Sequence, residues 1–393
     1  MKNVLFLLLM LCYGAGHAQC TGADDRITRK AIVGEWVSID VPQSKDRKGR
    51  AFRNWPSLYY TFYANDSVDA HRPYYRADEL PGGKQKYVYQ GTKTKWRITN
   101  NNLDLFEPYN ERWDSRRIVS TGSDTMVLET NMAEKQYFIH PQYRLDTMPV
   151  FDKIAFATSA CFGSCPIGTT IIYNDGRVLF YGYAYTSKLG LYTGKITTKQ
   201  YRELMDNFRK GDVQNLESDY RSSITDHQTV YITFEQQGKI YRHISDYANM
   251  APPVFRAAYP AMEHLYESIK LTPVTDFGAL VPYVLHFNFR EGNRHLYLGM
   301  ATQLLLFDYL LKGRATTDTF PQRFKMEFTY DDFADSLYAL SPDYAKPLSN
   351  DKPQQIISDG RYYKIFYTKA PPVTIDIGFN FFETNYSDAE LKE

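Results

Sequence analysis

The stretch that most constrains this chain is residues 160–176, Ala-Cys-Phe-Gly-Ser-Cys-Pro-Ile-Gly-Thr-Thr-Ile-Ile-Tyr-Asn-Asp-Gly, which holds two of the four cysteines. Gly163 frees the turn between Cys161 and Cys165, and Pro166 biases Cys165 away from helix. A β-branched run follows at 167–173. Asn174-Asp175-Gly176 is then a strong hairpin signal, with 177–185 as the returning strand. A tight cysteine loop opening into a β-hairpin predicts a sheet domain.

Three chemistries are open to Cys161 and Cys165. The preferred one is a structural disulfide, whose short loop contributes roughly 2 kcal/mol on the chain-entropy model. A metal site (copper or zinc) is the second, because two thiolates before a proline resemble the pair of envelope copper-delivery proteins. It needs a further ligand, and His227 and His243 are the candidates in this region. Redox exchange is the third. Reactive pairs usually have two residues between the thiols and a helix after them, whereas here three residues intervene and a strand follows.

The compartment decides among these. Lys2, an apolar run at 4–11 and small residues up to Ala18 describe a secretory signal over residues 1–18. Cys20 offers a second route, lipid attachment, although His17, Ala18 and Gln19 fit that processing poorly. No later segment reads as a membrane span, since 304–311 is short and carries Asp308. The expected setting is therefore export, to the periplasm, the outer-membrane surface or the medium, where disulfides persist. A formal net charge of +1 gives no field for nucleic acid.

With 33 Tyr and 24 Phe, the composition favours pleated surfaces over helices. Short strands are predicted at 31–39, 58–63, 86–90, 95–99, 103–107, 116–120, 125–130 and 136–140, with Asn, Asp and Gly at the turns and a long loop at 69–84. Gly34-x-Trp36, Tyr59-Tyr60-Thr61-Phe62, Asn102-Leu103-Asp104-Leu105 and Met126-Val127-Leu128 resemble the lipocalin-like domains of bacterial envelope proteins over residues 30–142. That resemblance implies a small apolar ligand in a barrel, against Trp36, Phe62 and Trp96. The preferred reading is that these three rings simply fill a small closed barrel.

In the central part, a strand at 150–159 precedes the cysteine loop and its hairpin. Tyr201, Leu204, Met205 and Phe208 give one helical face, with Thr197 or Thr198 as cap and Gly211 as stop. A second hairpin, 229–235 with 239–245, leads to a second helix carrying Met262, Leu265, Tyr266 and Ile269. This order predicts an antiparallel sheet with two helices on one face over residues 150–272. Cys161-Phe162-Gly163-Ser164-Cys165-Pro166, Tyr173-x-Asp175-Gly176, Asp226-x-x-Thr229 and Asp246-Tyr247 with Pro252 resemble the bacterial family called domain of unknown function 6438. The chain departs from that pattern at Ile167-Gly168 and at Gln228, where proline is common. The resemblance implies a fold and an exported setting, and no activity.

Residues 280–393 read as a β-rich C-terminal part. The strands are at 283–290, 295–300, 323–330, 362–368 and 373–382, with a short helix at 331–340 and a loop over 341–359. The run 304–312 fits helix or strand equally.

The fold class is thus α+β and β-rich. No phosphate loop, nucleophile elbow or zincin pair occurs, so no catalytic residue and no cofactor are assigned. Asp219, Asp226 and Asp246 sit at turns and strand ends, where carboxylates usually bond backbone amides. The expected function is a non-catalytic envelope or extracellular module that binds a small apolar ligand or an envelope protein. The alternative is a thiol- or metal-dependent envelope factor using Cys161 and Cys165.

Overall fold

The computed structural model describes residues 25–39, 44–45, 51–52, 57–80, 84–143, 145, 150–275, 288–327 and 353–386. They fall into two compact units, one built from segments up to His140 and the other mainly from Pro141 onward.

The first unit is a closed antiparallel barrel. Its strands are β1 (Gly34–Ile39), β2 (Tyr59–Phe62), β3 (Ser67–Asp69), β4 (Lys93–Thr99), β5 (Asn102–Glu107), β6 (Arg112–Thr121), β7 (Thr125–Glu129) and β8 (Lys135–Ile139). Around the barrel the order is β1-β8-β7-β6-β5-β4-β3-β2. Alternation puts Trp36, Phe62, Trp96, Leu103, Met126, Leu128 and Phe138 inside, and all are buried. The stretch 69–84 is not simply a loop: Tyr75–Leu80 pairs with Lys84–Tyr89 in a separate hairpin. The polar lead before β1 is also structured, as helix α1 (Asp25–Ile32).

The second unit is organised on one sheet. Its strands are β9 (Lys153–Thr158), β10 (Ile167–Tyr173), β11 (Arg177–Ala184), β12 (Gly190–Lys195), β13 (Asp219–Tyr220), β14 (Thr229–Gln236), β15 (Lys239–Tyr247) and β16 (Leu271–Pro273). The order is β13-β15-β14-β9-β10-β11-β12-β16. Every neighbour is antiparallel except the two-residue pair β13–β15. Gly176, at φ +82°, makes the β10–β11 turn that Asn174-Asp175-Gly176 predicts.

One face of this sheet carries the expected helices. Helix α2 (Thr198–Lys210) starts with a capping box between Thr197 and Gln200 and ends at Gly211. It buries Leu204 and Phe208 against Ile154, Ile232 and Phe234. The second helix is broken into three short pieces, α3 (Pro253–Arg256), α4 (Tyr259–Glu263) and α5 (Leu265–Ser268). Pro253 and Pro260 sit at first-turn positions, where a missing N–H costs nothing but an earlier helix cannot continue. Met262 and Leu265 still reach the core.

The opposite face is covered by α6 (Met300–Lys312), which resolves the ambiguity at 304–312 in favour of helix. Met300 to Asp308 are all buried, the pattern of a helix enclosed on every side. Ala155 and Ala157 face this helix while Ile154 and Phe156 face α2–α5. Small side chains on one side of β9 let α6 lie close, and β9 is buried on both faces. A seven-stranded sheet completes the same core: β17 (Asn288–Glu291), β18 (Arg294–Tyr297), β19 (Arg314–Thr316), β20 (Phe324–Glu327), β21 (Pro353–Ser358), β22 (Tyr362–Tyr367) and β23 (Val373–Asp376), in the order β18-β17-β20-β21-β22-β23-β19.

Two C-terminal expectations change. Residues 353–358, read as loop, form β21; Pro353 heads the strand, where its missing donor is tolerated, and Ile356 is core. The strand expected at 373–382 stops at Asp376, because Asn380 caps a short helix, α7 (Phe381–Asn385). The helix expected at 331–340 lies outside the described residues.

Candidate functional site

The cysteine loop joins β9 to β10, and Cys161 and Cys165 form a disulfide. The loop is held at four points. Besides the sulfur bridge, the Phe162 amide donates to Asp226 O at 3.1 Å. The Gln228 amide donates from Nε2 to both Ser159 O and Pro166 O, each at 2.8 Å, so it ties together the residues flanking the loop. Thr158 Oγ1 donates to Pro166 O at 2.9 Å. Gly163 stands at φ +144°, a conformation that a side chain would strain. At the tip Phe162 is 87 % exposed.

Beneath this loop is a small pocket. Phe156 and Thr158 of β9, Gly168 and Thr170 of β10 and Phe180 of β11 form its floor. Met262 and Glu263 at the end of α4 and Tyr266 of α5 form one wall. Pro166 of the stapled loop and Thr186 close the rim. The strand positions are those that alternation turns toward the α2–α5 face, and Gly168 is needed because a Cβ there would meet the Phe180 ring at 3.2 Å.

Glu263 is the one acidic side chain lining the pocket. It is half-buried, and its carboxyl has no hydrogen-bond or ion-pair partner among the described residues. Burial lifts its pKa above the usual carboxylate range, and Glu267 adds to this while His264 opposes it. His264 Nδ1 lies 3.6 Å from Glu267 Oε1. Nothing in the sequence pattern marks Glu263: it follows Met262 in a short helix, and only the tertiary structure brings it to the loop.

A second polar cluster lies between the sheet and α6. Lys153 Nζ lies 3.0 Å from Glu235 Oε1 and 3.5 Å from Asp308 Oδ2. Tyr173 donates to Asp308 Oδ1 at 2.5 Å, and Tyr309 to Glu235 Oε1 at 2.6 Å. Lys312 Nζ reaches Asp308 Oδ1 at 2.7 Å. Burial, with Asp308 beside Tyr173 and Glu235 beside Tyr309, pushes both phenols far up, so both remain donors. Two lysines balance two carboxylates. The cluster fixes α6 on the sheet, and within it Glu235 Oε2 is buried without a hydrogen-bond partner among the described residues.

The remaining residues singled out in the sequence are dispersed. Trp36, Phe62 and Trp96 are packed inside the barrel, with Phe62 edge-on to Trp96 at 5.2 Å between centroids. Trp36 Nε1 donates to Ile32 O and Trp96 Nε1 to Tyr63 O, so both indoles are satisfied within the protein. His227 is exposed and directly follows Asp226, whose carbonyl accepts from the loop's Phe162 amide. His243 faces α6 from mid-sheet: its Nδ1 lies 2.8 Å from Thr233 Oγ1, and Thr233 pairs with Ala155, well down β9 from the loop. Burial lowers its pKa to about 4, with Asp219 opposing, so it is neutral. Among the described residues no three His, Cys, Asp or Glu side chains gather to hold a metal ion. Asp246 is buried and accepts from the Met250 and Ala251 amides and from the Tyr259 hydroxyl, a turn-fixing role. Cys20 lies outside the described residues, as does the whole segment 1–24.

Residues 152–266 match the family model described as a domain of unknown function, DUF6438. All ten residues lining the pocket, and the disulfide, fall inside that match. No curated protein and no solved structure matches the chain. Among the described residues no helix is long and apolar enough to cross a membrane.

Proposed function

We propose that this chain is an exported, non-catalytic binding protein of the cell envelope or extracellular space, with its recognition surface at the stapled loop. One observation carries the reading: a loop stapled by a disulfide and tied down by Gln228 and Thr158 presents Phe162, 87 % exposed, at its tip. A disulfide that closes so short a loop adds little global stability, so its main effect is local order at the rim. The bridge between Cys161 and Cys165 is in keeping with an oxidising compartment. The polar clusters elsewhere bond to themselves, which suits a scaffold better than a reaction centre.

The test is the intact mass of the protein recovered from cells that make it, alkylated at once without reductant. The reading expects a chain lacking residues 1–18, with Cys161 and Cys165 refusing the alkylating agent. A full-length chain with both thiols alkylated would overturn export and the staple together, and would revive the thiol-dependent alternative.

A further inference from the structure

We propose that Arg242 anchors a second binding site, apart from the stapled loop, for the carboxylate of a small, singly charged organic acid. This site stands or falls independently of the role given to the loop.

Arg242 is an arginine without an acid. It lies on β15 opposite Phe234 of β14. The residue is half-buried, and its Nε is shut off from solvent with no hydrogen-bond partner. Among the described residues its guanidinium makes no hydrogen bond, ion pair or ring contact. The enclosed Arg116 of the barrel, by contrast, donates to Tyr60, Gln136 and Asp114. Leaving a partly enclosed charged donor unpaired costs free energy that a methionine covering the same apolar surface would not.

The surroundings place this group at an aromatic margin of the sheet. Ile244, two residues further along β15, packs in the same core cluster as Phe234, so alternation turns Arg242 to the α2 side. The pairing slips between Phe234 and Glu235, which leaves Tyr241 as the bulged residue. Tyr241 is 38 % exposed, with its ring 5.4 Å from that of Phe151. It offers a partly apolar surface to the body of a ligand.

The donors and the nearby charges select the anion. With Nε enclosed, only the two terminal nitrogens can meet a ligand. Two parallel N–H donors match the two oxygens of one carboxylate. Glu217 and Asp246 act, together with Arg242, on the Tyr220 phenol. Asp219 is taken up by Arg221, and Arg256 offsets part of Asp246. The remaining negative charge repels a doubly charged phosphate about twice as strongly as a single carboxylate.

The experiment is a titration of the full chain, labelled at arginine Nε and on the tyrosine rings. The probes are sodium propionate, its neutral isostere propionamide, sodium phosphate and sodium chloride. Propionate should shift the Arg242 Nε–H signal saturably. Its midpoint should fall at least tenfold below the concentration that moves Arg112, an exposed arginine of the barrel. The Tyr241 ring should report the same midpoint. Arg242→Lys keeps the charge and loses the fork, and should weaken the response at Tyr241 at least fivefold. Equal responses of Arg242 and Arg112 would show an ordinary solvated arginine and overturn the site. Propionamide or chloride acting as strongly as propionate would overturn it too. Phosphate acting at lower concentration than propionate would overturn the carboxylate assignment. Should Arg242→Lys fail to fold, the four probes on the unaltered chain decide alone.

Discussion

His243 gives the sharpest energetic prediction. It stands on β15 with its ring beside the start of α6: a Cβ on Gly299, the residue before that helix, would lie 2.8 Å from His243 Cε1. Its ordinary pKa of 6.5 falls to about 4 in the fold, chiefly through burial. The folded state therefore binds the proton less well than the unfolded chain. Between about pH 6.5 and pH 4 the unfolded chain holds more protons, so stability falls as pH falls through that window and levels off below it. At 1.36 kcal/mol per unit, the full loss is about 3 kcal/mol. Between pH 7.5 and pH 5 it is about 2 kcal/mol by the same linkage. The perturbation is His243→Asn, which keeps a polar atom near Thr233 and does not titrate. The assay is urea unfolding of both proteins at pH 7.5, 6 and 5, compared through the difference of their free energies. The native chain should lose about 2 kcal/mol more than the variant on going to pH 5. Parallel losses, within about 0.5 kcal/mol, would refute the burial of a neutral imidazole against α6.

Four further outcomes follow from the same structure. Asp308→Ala leaves Lys153 and Lys312 facing an emptied, buried position and should destabilise the second unit by roughly 3–5 kcal/mol, read by thermal unfolding. Gln228→Ala removes both amide bonds across the cysteine loop. It should cost about 1–2 kcal/mol and speed hydrogen exchange at the Phe162 amide, leaving barrel amides unchanged. Trp96→Ala should cost about 3–5 kcal/mol through the cavity it opens in the barrel, seen as a lower unfolding temperature of the first unit. Asp376 accepts a bidentate bond from Arg361, at 2.8 and 2.9 Å, which holds its pKa below the usual value. That stability is present above the unfolded pKa and is lost as pH falls through the lowered one. Arg361→Gln should therefore flatten the acid limb of the stability curve below about pH 4.

Much of the scaffold is legible in the chain because short-range signals agree with the fold. Asn174-Asp175-Gly176 fixes one hairpin, Thr197 with Gln200 fixes the start of α2, and alternation along 31–39 and 95–99 places Trp36 and Trp96 inside a barrel. What is not legible depends on distant partners. The run 304–312 is apolar apart from Asp308 and Lys312, so its period cannot distinguish helix from strand until it is seen wedged against Ala155 and Ala157. The buried pair Glu235 and Asp308 looks like ordinary surface charge until Lys153 is brought between them. The segment at 353–358 contains Pro353 and two glutamines, and only pairing with β20 and β22 makes it a strand.

The site follows the same division. Cys161, Cys165 and Pro166 announce a tight cysteine loop, and the expected export favours a disulfide over the metal and redox readings that their spacing leaves open. Gln228, which departs from the proline common at that place, does not announce its bonds to both flanks of the loop. Glu263 lies about a hundred residues after the cysteines it joins, on a helix too short to show a period, so sequence reasoning passes over it. Its meaning comes from position: one unpaired carboxylate among aromatic rings and threonine hydroxyls.

The most direct test of the account is a crystal structure, with intact mass, of the protein recovered without reductant from cells that make it. The account predicts a chain lacking residues 1–18, an intact bridge between Cys161 and Cys165, and Phe162 standing out from the stapled loop. A chain that keeps residues 1–18, or an open, reduced loop, would contradict it.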